Sequence, residues 1–342
     1  MSATLAQSAL NSRLTRVRGS ALRDVTLLSG FLGSGKTTFL RAEFARAGAD
    51  APSLILNDFA DTVVDDLLLA NGSGQPRVIL GGCACCTRRH ALAEALRALL
   101  DVEQRDDSRT CRPVVIETSG LSDPGPIAFT LANDPVLRHH YALARVCVTV
   151  DGIAGLRTLE RHEVAVRQLM AADQALVTKT DLVDPGDVEQ LVVRLQTLNP
   201  SAEVAVTARG DLVRLVPPVS STQRNATRAQ DRPVGHASDV ATLELVTDLP
   251  LDWQAFSVWL TALLHAHGPD ILRVKGVLDV DQVGAVAING VQHVVHHPEH
   301  LAKPVRPGTR IVFIIQGVDP GSLERSFHRF VGPTEREEAC DF

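Results

Sequence analysis

Apolar residues along this chain fall into short continuous runs separated by longer segments of helical period. Residues 25–28, 53–56, 77–80, 112–120, 143–150, 174–177 and 202–206 contain such runs, each of a length suited to a strand. Runs that are apolar on both faces read as strands buried within a parallel sheet. Helical periodicity over 37–47, 87–100, 157–171 and 187–198 fills the gaps. Strands alternating with helices in this way predict an α/β, doubly wound, mainly parallel sheet. After residue 239 the pattern changes. Residues 240–246, 271–279, 283–296 and 309–316 alternate like strands, and 252–267 forms an amphipathic helix with Trp253, Phe256, Trp259, Leu260 and Leu263 on its apolar face. With a closing helix over 320–330, this half reads as a smaller α+β domain. The expected organisation is a flexible tail over 1–24, a nucleotide domain over 25–208, a Pro-, Ser- and Arg-rich linker over 209–239, the smaller domain over 240–331, and a second tail over 332–342.

The first strand runs into Gly30-Phe31-Leu32-Gly33-Ser34-Gly35-Lys36-Thr37-Thr38. Two glycines bracketing four residues, followed by Lys-Thr, match the P-loop. Its successive backbone N–H groups converge on phosphates, its lysine neutralises the β- and γ-phosphates, and its hydroxyl ligates Mg²⁺. Gly33, Ser34, Gly35, Lys36, Thr37 and Thr38 are therefore the expected phosphate-binding residues, with Thr37 on the Mg²⁺.

The C-terminal ends of the following strands carry the remaining candidate chemistry, at the edge where open α/β sheets bind ligands. The second strand delivers Asn57-Asp58-Phe59-Ala60-Asp61, so Asp58, Asp61 and Asp65 are candidates to face a metal or the Mg²⁺ of a nucleotide. Acidic helix-capping is the competing reading for Asp61. The third strand runs into Gly81-Gly82-Cys83-Ala84-Cys85-Cys86 at the start of a helix, beside Arg88 and Arg89. A helix N-terminus and nearby guanidinium groups lower thiol pKa, and thiolates so close can share a soft or borderline ion such as Zn²⁺. A redox switch and buried structural cysteines are the alternatives. Glu117 and Gly120 close the next strand, where a carboxylate can serve the Mg²⁺ shell or the attacking water and a glycine N–H can meet the γ-phosphate. Pro124 and Pro126 are expected to break regular structure in the loop that follows. Thr178-Lys179-Thr180-Asp181 resembles the guanine-reading N-K-x-D element of GTPases, with Thr178 in place of the usual asparagine.

Composition narrows the setting. The 342 residues carry 34 basic and 40 acidic side chains, a net charge of −6, which provides no general attraction to nucleic acid or acidic membranes. No apolar run reaches the roughly 18 residues of a membrane helix, so the expectation is a soluble, cytoplasmic protein. Residues 1–23 include Arg13, Arg16, Arg18 and Arg23 with no acid, a composition shared by transit peptides and solvated tails. Of six cysteines, Cys111 and Cys147 lie in apolar segments and Cys340 in the C-terminal tail, leaving the three clustered ones for metal chemistry. His293, His296, His297 and His300 read as a polar sheet edge rather than one metal site, because a straight strand would turn His296 away from His293 and His297.

Taken in order, the P-loop, the Gly-Cys-x-Cys-Cys turn, Glu117-Thr118-Ser119-Gly120-Leu121-Ser122-Asp123-Pro124 and Thr178-Lys179-Thr180-Asp181 resemble the CobW family of P-loop GTPases, which is similar to UreG and HypB. Arg273-Val274-Lys275-Gly276 and 291–297 are similar to that family's C-terminal domain. The resemblance implies a GTPase that uses GTP and Mg²⁺, binds Zn²⁺ or, in some branches, Co²⁺ or another divalent ion, and delivers it to a client metalloprotein or cofactor-biosynthetic enzyme. It assigns the metal thiolates to Cys83, Cys85 and Cys86, hydrolysis to Lys36, Glu117 and Gly120, and guanine recognition to Lys179 and Asp181. A nucleotide-dependent homodimer is compatible with it. A remodelling activator that carries no metal, and a metal-responsive binding protein, are the rival readings. Besides Thr178, the chain departs from the family in having Asp58 and Asp61 where glutamates are usual, and only His236 in the linker where many relatives carry a histidine-rich loop.

Overall fold

The computed structural model describes residues 22–47, 51–56, 78–80, 88–104, 112–218, 240–292, 294–296, 298–301 and 308–331. The chain divides into two compact units, Met1–Ala237 and Ser238–Phe342.

In the first unit, β1 (Arg23–Gly30), β2 (Ser53–Leu56), β3 (Val78–Leu80), β4 (Val114–Glu117), β5 (Tyr141–Asp151), β6 (Gln174–Thr178), β7 (Glu203–Ala208) and β8 (Asp211–Val216) form one sheet in the order β3-β2-β4-β1-β5-β6-β7-β8. Every pairing is parallel except that of β7 with β8. All residues of β1, β2, β4 and β6 are buried, as expected of parallel strands covered on both faces. Helix α1 (Lys36–Ala47) packs Phe39, Leu40 and Phe44 against Leu28, Leu54, Leu56 and Val115. The alternate residues Leu27, Ile55 and Ile116 belong to the opposite face. Helices α2 (Arg88–Gln104), α3 (Gly125–Asn133), α4 (Gly155–Arg161), α5 (Glu163–Ala171) and α6 (Pro185–Leu198) lie in the connections from β3 to β7.

Three expectations are corrected here. The prolines at 124 and 126 start a helix instead of breaking structure: Pro124 caps α3 and Pro126 lies in its first turn, where a missing N–H costs nothing. The single helix expected over 157–171 is two, because His162 is extended (φ −125°, ψ 105°) between α4 and α5. The stretch expected as linker from residue 209 begins with an ordered hairpin, in which Arg209 and Gly210 turn the chain into β8, and 202–206 is therefore not the last strand. Arg46 of α1 holds that turn through Gly210 O and Asp211.

The second unit is an antiparallel sheet of β9 (Val240–Thr247), β10 (Ile271–Val280), β11 (Gly284–Val291), β12 (Val294–Val295) and β14 (Thr309–Gln316) in the order β12-β11-β10-β14-β9, with β13 (Glu299–His300) also on β11. Helices α7 (Trp253–His267) and α8 (Pro320–Phe330) are each capped by an aspartate, Asp252 accepting from Ala255 N and Asp319 from Ser322 N. Trp259 lies edge-on to Phe313 and Phe327 at 6.0 and 5.2 Å in this core. The continuous strand expected over 283–296 is broken at Gln292 (φ 52°), and Val291 pairs antiparallel with Val294. His293 and His297 lie outside the described residues.

Candidate active site

The phosphate loop joins β1 to α1, and its glycines Gly30, Gly33 and Gly35 all have positive φ (138°, 71° and 92°). At Gly30 glycine is required twice over, since a Cβ would stand 2.2 Å from Thr149 Oγ1 and 2.5 Å from Thr149 O. Lys36 opens α1, and its ammonium donates to Gly30 O at 2.8 Å and to Phe31 O at 3.4 Å, so its charge is held across the loop. Thr37 and Thr38 follow in the first helical turn, at the positive end of the α1 dipole, where anions are favoured.

A buried hydroxyl network ties this loop to its neighbours. Ser34 and Thr149 share a 2.6 Å hydrogen bond, Thr149 donates to Ser29 O at 3.3 Å, and Thr118 donates to Ser29 Oγ at 2.9 Å. β1, β5 and the segments that follow β1 and β4 are thereby cross-linked, in buried surroundings of low dielectric where such bonds gain strength.

Glu117 ends β4 in register with Leu28 of the adjacent strand β1, whose following loop leads into the helix that carries Thr37. Oxygen donors of this kind suit a hard cation such as Mg²⁺. After Glu117 the chain makes a turn closed by Ser122 N to Ser119 O at 3.0 Å. Gly120 sits in that turn directly against the phosphate loop: a Cβ there would lie 2.8 Å from Leu32 N and 2.9 Å from Leu32 Cα.

The loop that carries Thr178-Lys179-Thr180-Asp181 follows β6. The Thr178 hydroxyl donates to Ser34 O at 2.7 Å and reaches Val150 O at 3.3 Å, which connects the loop to the phosphate loop despite the absent asparagine. Lys179 is left-handed (φ 57°), and its ammonium pairs with Asp151 at 2.6 Å. Asp151 also accepts from Ile153 N at 2.8 Å, and the Asp181 carboxylate receives Arg209 Nε at 3.1 Å. Thr180 bonds Thr207 O at 3.0 Å, bringing the β7 end to the same place. Replacing Thr178 by valine keeps the shape and leaves Ser34 O without that donor. The expected result is an affinity for nucleotide lower by about tenfold, equivalent to about 1.4 kcal/mol, measured by titration with a fluorescent guanine nucleotide.

The metal candidates Cys83, Cys85, Cys86 and Asp58, together with Asp61, Asp65, Cys111 and Cys340, lie outside the described residues. Among the described residues no group of three His, Cys, Asp or Glu is arranged to hold a metal. Cys147 is buried, and burial pushes its thiol up to about 12, consistent with a core side chain and not a thiolate ligand. No described helix is long and apolar enough to cross a membrane.

Sequence reasoning passed over Ser29, Thr149, Asp151, Gln168, Thr207 and Arg209. Asp151 and Thr207 had a signal, being polar residues at the C-terminal ends of buried strands. Gln168 had none, because its partners lie 46 and 48 residues away.

The comparisons with known proteins agree with this geometry. Residues 24–206 match the CobW/HypB/UreG nucleotide-binding domain, and residues 240–331 match the cobalamin synthesis protein cobW C-terminal domain. The chain is 32% identical to the zinc chaperone YjiA of Escherichia coli over 78% of its own length and 86% of that protein. It is 27% identical to the zinc-regulated GTPase metalloprotein activator 1 of Schizosaccharomyces pombe over 55% of its own length, and spans 46% of that relative. The solved structure of Zn(II)-bound YjiA GTPase superposes with a TM-score of 0.63 at 23% identity, covering 91% of this chain and 99% of that one, so the fold is shared. With both of its domains matched in order, the chain belongs to the CobW/HypB/UreG family of nucleotide-binding proteins.

Proposed function

We propose that this chain is a GTP-hydrolysing metal chaperone, which binds Zn²⁺, or Co²⁺ or another divalent ion, through Cys83, Cys85 and Cys86 and passes it to a client metalloprotein or cofactor-biosynthetic enzyme. The observation that carries the reading is the hydrogen bond from Thr178 to Ser34 O, which couples a base-reading loop to a phosphate loop in a chain whose relatives are named as zinc chaperones.

In this reading the backbone of Gly33 to Thr38 cradles the phosphates, and Lys36 supplies the positive charge that offsets the developing negative charge on the γ-phosphate. Thr37 and Glu117 would hold Mg²⁺, which would offset the negative charge of the phosphates. The Gly120 turn contacts the γ-phosphate. Asp181 accepts hydrogen bonds from the guanine N–H and exocyclic amine, while the stem of Lys179, fixed by Asp151, lies along the base. GTP binding favours metal binding by the three thiolates, and hydrolysis weakens it, so the ion moves on to the client.

The nucleotide half of the proposal is tested at Asp181. Asp181→Asn replaces a carboxylate acceptor with an amide that offers a donor. Affinity for GTP is expected to fall by about 100-fold, the equivalent of a charged hydrogen-bonded pair. Affinity for xanthosine triphosphate, whose ring has a carbonyl at the matching position, is expected to rise. Unchanged GTP affinity would remove Asp181 from the base site.

A further inference from the structure

Helix α5 touches both loops that flank the γ-phosphate position. At its start, the His162 ring stacks on Phe31 of the phosphate loop, centroids 4.5 Å apart. Within it, Gln168 is fully buried, and its amide nitrogen donates to Gly120 O at 3.1 Å and to Ser122 O at 3.0 Å. The amide has two N–H groups, so both are committed to the Gly120 turn. Gln168 and Ala165 of α5 also line a cleft of about 40 Å³ together with Phe31, Leu32 and Ser34. Leu32 is the residue against which Gly120 is pressed. One side chain of α5 thus fixes the turn that packs on the phosphate loop.

We propose that Gln168 is a positioning residue for GTP turnover, holding the Gly120–Ser122 turn against the phosphate loop so that the turn answers to the γ-phosphate. This rests on the reading of that turn as the γ-phosphate contact. GDP has no group to place there. Loss of the tether therefore weakens GTP selectively, whereas a general loosening of the fold weakens both nucleotides.

Gln168→Met keeps the length and volume of the side chain, removes both donors, and leaves two carbonyls without their buried partner. Gln168→Asn keeps the donors on a side chain one methylene shorter and serves where the methionine variant does not fold. With the full chain, affinities for GDP and for a slowly hydrolysed GTP analogue are measured alongside kcat and KM for GTP. The expected result for either variant is GDP affinity within twofold of the parent, with analogue affinity and kcat/KM lower by about tenfold, the loss of one buried hydrogen-bonding group. Equal losses for GDP and analogue, or no loss for either, overturn the proposal. Gly120→Ala runs in parallel. If it weakens the analogue alone while the Gln168 variants match the parent, the turn contacts the γ-phosphate without Gln168 and this inference fails by itself. If Gly120→Ala spares the analogue, the reading of the turn falls and the inference with it.

Discussion

Lys36→Ala is expected to lower GTP turnover by about 10²- to 10³-fold, the effect of removing one preorganised group that stabilises transition-state charge. The ammonium already lies on Gly30 O and Phe31 O, so little reorganisation separates it from the phosphates. No other lysine belongs to the phosphate loop, and an uncharged methyl group cannot offset the charge that develops on the transferred phosphoryl group. Alanine has the highest intrinsic helix propensity, so α1 persists and the loss is one of chemistry. Phosphate release at saturating GTP measures the effect. Turnover within tenfold of the parent would mean that hydrolysis takes place elsewhere.

The second large effect belongs to the thiolates. Cys85→Ser with Cys86→Ser is expected to weaken Zn²⁺ binding by at least about 10³-fold, since tightly held zinc sites are worth roughly 10 to 16 kcal/mol spread over their ligands. Serine is nearly isosteric but stays protonated at neutral pH and is a poor partner for a borderline ion. Competition with a zinc indicator gives the affinity directly. The same variant separates the rival readings: a remodelling activator that carries no metal would still activate its client, whereas a chaperone would not. A metal-responsive binding protein would show negligible turnover even with metal and client present.

Much of the nucleotide domain was legible because its signals are local. The phosphate loop declares itself through glycine spacing, and the parallel strands through short apolar runs that are buried on both faces. What escaped depends on contacts distant in sequence. Nothing near His162 marks a helix break, since the helical period runs through it and its ring is held by Phe31 of the phosphate loop. Gln168 looks like any polar helix residue until the turn 48 residues earlier is packed on it. Pro124 and Pro126 read as breakers, whereas proline also starts helices, and here both lie at the start of α3. Arg209 and Asp211 resembled linker because their composition is polar, yet Arg46 of α1 and the pairing of β8 with β7 order them. Thr178 shows the reverse case. It departs from the asparagine pattern, yet its hydroxyl donates to Ser34 O and so joins its loop to the phosphate loop.

The account turns on coupling between the nucleotide and the metal, which linkage makes reciprocal: whatever factor GTP adds to metal affinity, metal must add to GTP affinity. The most direct test is a zinc competition titration of the full chain, performed once with a slowly hydrolysed GTP analogue and once with GDP. The account predicts tighter zinc binding with the analogue by about tenfold or more, within the usual range of coupling between sites. It predicts that Cys85→Ser with Cys86→Ser abolishes the difference. Equal zinc affinity with the analogue and with GDP would contradict it.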